Sequence, residues 1–282
     1  MLSKIPSGSR SLNQLFTYQV GVLHAFSGPT GSGKTTLCAY EPIIRITQFY
    51  TKTKGNLPEN SIFIVIDTDG GFDWERLEQI CEVNQISYER IERHIEYQNP
   101  QEFDEQHKYI TEQLKGVAEN KKVLLISLDP AIAIYRGIIL RTPMQHRAKT
   151  IGLYTGKLDL QLQILRFYAQ KKGAIATVST WPTSEVAEAF GQETELPFIG
   201  GRQMGFLPKT IILIDKYRYY DSRTRKYEKH PTLRVATIYK HRAKPAGLTT
   251  IFELWDGGVR DAEQVPEQGN ATRQSRQRRA SA

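Results

Sequence analysis

The chain has 282 residues, 39% of them hydrophobic and 24% charged, with 38 Lys and Arg against 30 Asp and Glu and a formal net charge of +8. These are globular values that exclude a disordered chain, and two cysteines, Cys38 and Cys81, are too few for a disulfide framework or a structural zinc site. No apolar run reaches transmembrane length, and residues 1–6 lack the apolar core of a signal peptide, so a reducing cytoplasmic setting without membrane contact is expected. The positive balance suits a polyanionic partner, nucleic acid before an acidic membrane surface, and it suits plain solubility as well.

Residues 5–15 pass from turn chemistry into a short helix with Leu12 and Leu15 on one face, and leave no room for a preceding folded domain. Residues 22–26 read as a buried strand running into Gly28-Pro29-Thr30-Gly31-Ser32-Gly33-Lys34-Thr35. Helical periodicity begins at Thr36 and continues to residue 50, interrupted by Pro42; a polar loop follows over 51–60. Residues 62–67 are an unbroken β-branched and aromatic run, as in a strand covered on both faces. Asp73 is placed to cap a helix from Trp74 to about residue 83. A charged helical segment spans 101–119, and a second buried strand spans 121–129 and ends in Asp129.

Residues 130–158 contain no acid but do contain Arg136, Arg141, Arg147, Lys149 and Lys157; Asp159 then opens a helix to residue 172. A third apolar strand covers 174–179, a polar loop runs to about residue 202, and a further strand covers 210–214. Residues 216–230 are a basic, tyrosine-rich excursion before late strands at 233–239 and 250–254. The end of the chain is rich in Gln, Arg and Ser with little to bury, and is expected to be disordered. The expected division is one domain over 1–258 and a basic tail over 259–282, with no internal repeats.

Strand, loop and helix alternate through residue 180, which predicts an α/β fold with a mostly parallel sheet, helices on both faces and a late antiparallel extension. Ligands of such sheets sit at the carboxyl ends of the strands. The glycine-rich stretch fits G-x-x-x-x-G-K-[ST], the loop that wraps a triphosphate in backbone N–H groups at the start of a helix. Residues 28–36 (Gly28, Pro29, Thr30, Gly31, Ser32, Gly33, Lys34, Thr35 and Thr36) are therefore the expected nucleoside triphosphate site, with Lys34 reaching the β- and γ-phosphates and Thr35 holding Mg²⁺. Asp129, at the end of a hydrophobic strand, is the expected second Mg²⁺ group.

Several passages together resemble the RecA/RadA recombinase family. Residues 5–15 ahead of the phosphate loop are one, and Asp67-Thr68-Asp69-Gly70-Gly71-Phe72 followed by Glu75-Arg76-Leu77 is a second. Leu128-Asp129 through Ala133-Ile134-Tyr135-Arg136, Gly200-Gly201 before Lys209-Thr210, and Lys240-His241-Arg242 before Pro245 and Gly247 complete the set, in order and at compatible spacing to about residue 258. The absence of an N-terminal DNA-binding domain makes the short RadB-like paralogues the nearest resemblance.

The resemblance implies a RecA-like ATPase core and assigns roles. Asp69 stands where these proteins carry a glutamate that orients the attacking water, and being one methylene shorter it implies slow hydrolysis. Arg76 would pack on adenine. Thr180-Trp181 replaces the usual Asn-Gln after the third strand, leaving Trp181 either to stack on a base or to pack in the core. Residues 130–158 fall where the family has its first DNA-binding loop, so Arg136, Arg141, Arg147 and Lys149, with Arg202 in the second loop, are the expected contacts to single-stranded DNA. Lys240 and Arg242, alternating along one strand, would reach the γ-phosphate of a neighbouring subunit. The function implied is a slow Mg-dependent ATPase of DNA recombination and repair that self-associates or serves a recombinase partner. A KaiC-like regulatory ATPase acting on proteins, or an ATP-gated adaptor with negligible turnover, are the alternatives.

Overall fold

A computed structural model describes residues 4–183, 197–221 and 223–266. A short antiparallel ribbon of β1 (Lys4–Ile5) and β2 (Tyr18–Gln19) brackets α1 (Arg10–Leu15), whose N-cap Ser9 accepts from the Leu12 amide. The apolar runs become β3 (Leu23–Ser27), β4 (Ser61–Asp67), β6 (Lys122–Asp129) and β7 (Ile175–Thr180), buried throughout except at Lys122. With β5 (Ile95–Gln98) and the start of β8 (Thr210–Asp221), they form the parallel part of one nine-stranded sheet. The antiparallel part is β8, β9 (Lys226–His241), β10 (Thr249–Trp255) and β11 (Gly258–Asp261), and the full order is β11-β10-β9-β8-β3-β7-β6-β4-β5. The sheet thus continues to Asp261, past the boundary expected at residue 258. There the Asp261 carboxylate accepts from the Ser11 amide at 2.8 Å.

Helices cover both faces, so apolar side chains of alternate parity along each strand enter different cores. One core takes Leu12 of α1, Ile43 of α2 (Glu41–Lys54) and Leu77 of α3 (Trp74–Val83). The other takes Phe103 of α5 (Phe103–Lys108), Leu114 of α6 (Leu114–Asn120), Ile139 of α7 (Ala133–Arg141) and Leu165 of α8 (Met144–Lys172). A short α4 (Tyr88–Glu92) follows α3, and α9 (Gly201–Phe206) precedes β8. Asp73 caps α3 as expected, accepting from the Glu75 and Arg76 amides.

Three sequence expectations change. Pro42 does not interrupt its helix: a wide π turn at Thr36–Tyr40 leads into α2, which runs on to Lys54 through the first part of the expected loop. Pro42 has no N–H for the Cys38 carbonyl four residues back, and that carbonyl instead accepts from Thr177 Oγ1 of β7 at 2.6 Å. Residues 133–158 are mostly helical rather than a loop, split at Thr142 and Pro143 into α7 and the 29-residue α8. Asp159 therefore lies inside α8 instead of opening it. All the buried residues of α8 lie from Leu158 onward, so its solvated first half carries no apolar stripe to betray it. Finally, the tyrosine-rich excursion is the outer part of the β8–β9 hairpin, paired from Arg218↔Lys229 to Asp221↔Lys226.

Candidate triphosphate site

The phosphate loop leaves the end of β3, where the Gly28 amide lies 3.4 Å from the Thr180 carbonyl oxygen. A Cβ on Gly28 would sit 2.3 Å from the Ile214 carbonyl oxygen, so no other residue fits there. Gly31 and Gly33 have φ of +71° and +96°, and a Cβ on Gly33 would meet Leu254 of β10 at 2.9 Å. Lys34 is buried with Nζ donating to the Pro29 carbonyl at 3.0 Å, holding its ammonium over the loop. The buried Ser32 hydroxyl has no hydrogen-bond partner among the described residues, an orphaned donor inside the cradle.

The acids converge on the same strand ends. Asp129 is buried at the end of β6 and accepts from the Ser179 hydroxyl, with the Thr35 hydroxyl and the Lys34 ammonium acting on its charge. Burial raises its pKa, opposed by those two hydroxyls and by Lys34. Beside it the Thr68 amide donates to the Asp129 carbonyl at 3.0 Å and the Thr68 hydroxyl donates to the Pro130 carbonyl, tying the loop after β4 to the end of β6. Asp69 follows directly. Partial desolvation, then the charges of Asp129 and Asp67, raise its carboxyl to about 6, while the Gly71 amide donates to it at 3.1 Å. Asp67, which the sequence reading passed over, shapes this turn. Its buried carboxylate accepts from the amides of Asp69 (3.3 Å), Gly71 (3.1 Å) and Phe72 (3.0 Å) and from the Tyr97 hydroxyl (2.9 Å).

A loop with an orphaned hydroxyl, a buried ammonium and a Thr35–Asp129 pair fits a magnesium–triphosphate, whose metal takes few protein groups and completes its shell with phosphate oxygens and water. Two cations from the antiparallel strands also reach the loop. Arg234 donates to the Gly31 carbonyl at 3.0 Å, and Lys216 Nζ lies 3.4 Å from where a Gly31 Cβ would stand. The signal for Arg234 was present: an arginine directly between Leu233 and Val235 in the expected strand 233–239.

The model of the Rad51 family matches residues 1–248. The chain belongs to the Rad51 family. Among its relatives is the DNA repair and recombination protein RadB of Thermococcus kodakarensis, 28% identical over 262 residues that cover 92% of this chain and 100% of that protein. RadB of Pyrococcus abyssi is 27% identical over 268 residues, covering 94% and 97%. The crystal structure of a RadB recombinase superposes with a TM-score of 0.66 at 26% identity, covering 92% of this chain and all of that one. The recombinase resemblance and the RecA-like fold with its antiparallel extension are both confirmed.

The other residues singled out in the sequence are placed as follows. Arg76 donates to the carbonyls of Trp255 (2.5 Å) and Asp256 (3.1 Å), so its guanidinium fastens the β10–β11 turn. Lys240 and Arg242 do not alternate along one strand, because β9 ends at His241 and Arg242 lies exposed beyond it. Lys240 Nζ donates to the Gly205 (2.7 Å) and Phe206 (2.9 Å) carbonyls, so it caps α9 of its own chain. Arg136 stacks on the half-buried Trp181 ring at 5.0 Å, and Trp181 packs against the second core, which favours the core alternative for this tryptophan. Arg147 donates to the Thr142 carbonyl at 2.9 Å and closes the end of α7. Arg141, Lys149 and Arg202 are exposed. A Cβ on Gly201 would meet Thr155 at 2.6 Å, so α9, which carries Arg202, lies directly on α8, which carries Lys149. Residues 184–196 of the expected second loop, and 267–282 of the expected tail, lie outside the described residues.

Proposed function

We propose that the protein is a RadB-type ATPase of DNA recombination and repair that binds Mg²⁺-ATP and single-stranded DNA. The observation that carries the nucleotide reading is the convergence of the phosphate loop's Lys34 and Thr35 on the buried Asp129, with Asp69 tied alongside through Thr68. Residues 28–36 enclose the phosphates, Lys34 contacts the β- and γ-phosphates, and Thr35 with Asp129 would hold Mg²⁺. When bound, that ion neutralises charge building on the phosphate oxygens. Asp69 orients water, and its short reach makes turnover slow. The ATPase domain runs through the last strand and is followed by a basic tail, acting in the cytoplasm; among the described residues no helix is long and apolar enough to cross a membrane.

Arg141 and Lys149 near the α7–α8 corner, with Arg202 on the adjoining α9, are the exposed cations that support DNA contact; Arg136 and Arg147 serve mainly to hold this region together. Self-association, or docking on a recombinase partner, would place Arg242 rather than the engaged Lys240 at a neighbour's nucleotide. Titration with a fluorescent ATP analogue tests the first half: Lys34→Ala should abolish binding, and survival of binding would overturn it. Anisotropy of labelled single-stranded DNA, with and without ATP and across salt, tests the second half. Arg141→Ala/Lys149→Ala should weaken binding and flatten its salt dependence. No binding by the wild-type chain at low salt would remove the recombination reading.

A further inference from the structure

The outer part of the β8–β9 hairpin is not needed to cover either core, yet its composition is distinctive. Residues 216–230 hold Lys216, Arg218, Arg223, Arg225, Lys226 and Lys229 against only Asp221 and Glu228, with four tyrosines among them. Cross-strand pairing sorts these residues by face. Arg218 pairs with Lys229 and Tyr220 pairs with Tyr227, and because side chains alternate with a period of two, both pairs lie on one face of the ribbon. All four residues are exposed, Tyr220 to 41% and Tyr227 to 48%, with the two rings 5.4 Å apart at 62°. Charge alone would protect a sheet edge; a pair of rings displayed to solvent is not required for that.

The face is also continuous with the nucleotide site. The register shift between Lys216 and Arg218 brings Arg218 onto the side of Leu213 and Asp215, and these line a cavity of about 390 Å³ together with Lys229, Gly28 and Pro29. The cation pair thus stands between the tyrosine pair and the start of the phosphate loop. Two residues along a strand span about 6.6 Å, so one nucleotide can lay its base on the rings and its phosphate against the cations. Exposed aromatic faces beside cations are the chemistry of sequence-tolerant single-strand binding. Duplex bases are already stacked and present no free face.

We infer that Arg218, Tyr220, Tyr227 and Lys229 form a second contact for single-stranded DNA, distinct from the α7–α8 corner and leading toward the phosphate loop. This rests on the reading of the protein as a DNA-binding ATPase. The test is anisotropy of fluorescein-labelled oligothymidine with the full chain. Tyr220→Ala/Tyr227→Ala should weaken binding by about tenfold or more, while Tyr220→Phe/Tyr227→Phe should bind as the wild type does. Arg218→Ala/Lys229→Ala should lower the slope of log affinity against log salt by about 1.4, at about 0.7 per phosphate contact. Ultraviolet crosslinking of an iododeoxyuridine strand should map to Tyr220 or Tyr227. ATP-analogue binding by the tyrosine variants serves as the folding control and should be unchanged.

Absence of DNA binding by the wild type would defeat the DNA-binding reading itself. Wild-type binding that persists undiminished, with an unchanged salt slope, in all the hairpin variants would overturn only the hairpin site. Equal loss of duplex and single-strand binding in the tyrosine variants would overturn the base-stacking assignment.

Discussion

Arg234 of β9 donates from its guanidinium to the Gly31 carbonyl oxygen at 3.0 Å, joining the antiparallel half of the sheet to the tip of the phosphate loop. Arg234 is 5% exposed and also donates to the Pro231 (3.0 Å) and Leu233 (2.9 Å) carbonyls. Desolvation lowers its pKa, with Asp215 opposing. A charged donor on the Gly31 carbonyl restrains the loop in its left-handed turn. Arg234→Met keeps the stem and removes this bond, worth about 1.5–3 kcal/mol. It should weaken ATP binding roughly tenfold or more, as read by titration with a fluorescent analogue. A lower melting temperature with unaltered ATP affinity would make Arg234 a packing residue only.

Asp69, just past the end of β4, has its carboxylate engaged by the Gly71 amide at 3.1 Å. Asp69→Glu lengthens this side chain by one methylene, and single-turnover hydrolysis should become faster. Asp69→Ala should lose turnover while retaining ATP. Slower hydrolysis by Asp69→Glu would contradict the view that reach limits the rate.

Glu41 sits 1% exposed at the start of α2, accepting from Arg45 Nε at 2.7 Å and from the Val259 amide at 2.7 Å. A Cβ on Gly8 or Gly258 would collide with its carboxylate, so three chain segments meet there. Burial raises its pKa, opposed by Arg45 and the Val259 amide. Removing one partner of a buried ion pair costs about 3–5 kcal/mol. Urea unfolding of Glu41→Ala should show a loss of that order, and a loss under about 1 kcal/mol would mean the site relaxes freely.

His24, fully buried in β3, accepts at Nε2 from the Gln19 amide at 2.9 Å while its buried Nδ1 has no partner among the described residues. Burial lowers its pKa from 6.5 to about 4. The unfolded chain therefore takes up a proton near pH 6.5 that the folded chain refuses until near pH 4. The stability held above that window falls as pH drops through it, by on the order of 3 kcal/mol. Urea midpoints compared between about pH 7.5 and about pH 5 should fall less for His24→Gln than for the wild type. Parallel falls would show that other groups carry the acid sensitivity.

Local chemistry made much of this protein legible. The apolar runs at β3, β4, β6 and β7 could only be covered strands, the phosphate loop follows from glycine and lysine spacing, and Asp73 caps α3 because its side chain bonds amides two and three residues on. What escaped was whatever depends on partners far along the chain. The first half of α8 carries no buried stripe, so nothing local marks it as helix. Pro42 looks like a break until Thr177, from another strand, takes the carbonyl that proline leaves without a donor.

By itself, the sequence determined the α/β layering, the place of the triphosphate loop and the strand-ending acids, because these rest on periodicity and on backbone freedom at named glycines. Only the tertiary structure decided that Asp129 meets Ser179 and the phosphate loop, that Lys240 is spent on its own α9, that Arg234 holds Gly31, and that Arg218, Tyr220, Tyr227 and Lys229 share a face. Those relationships are set by strand register and sheet order, and a shift of one residue would send each side chain to the opposite face.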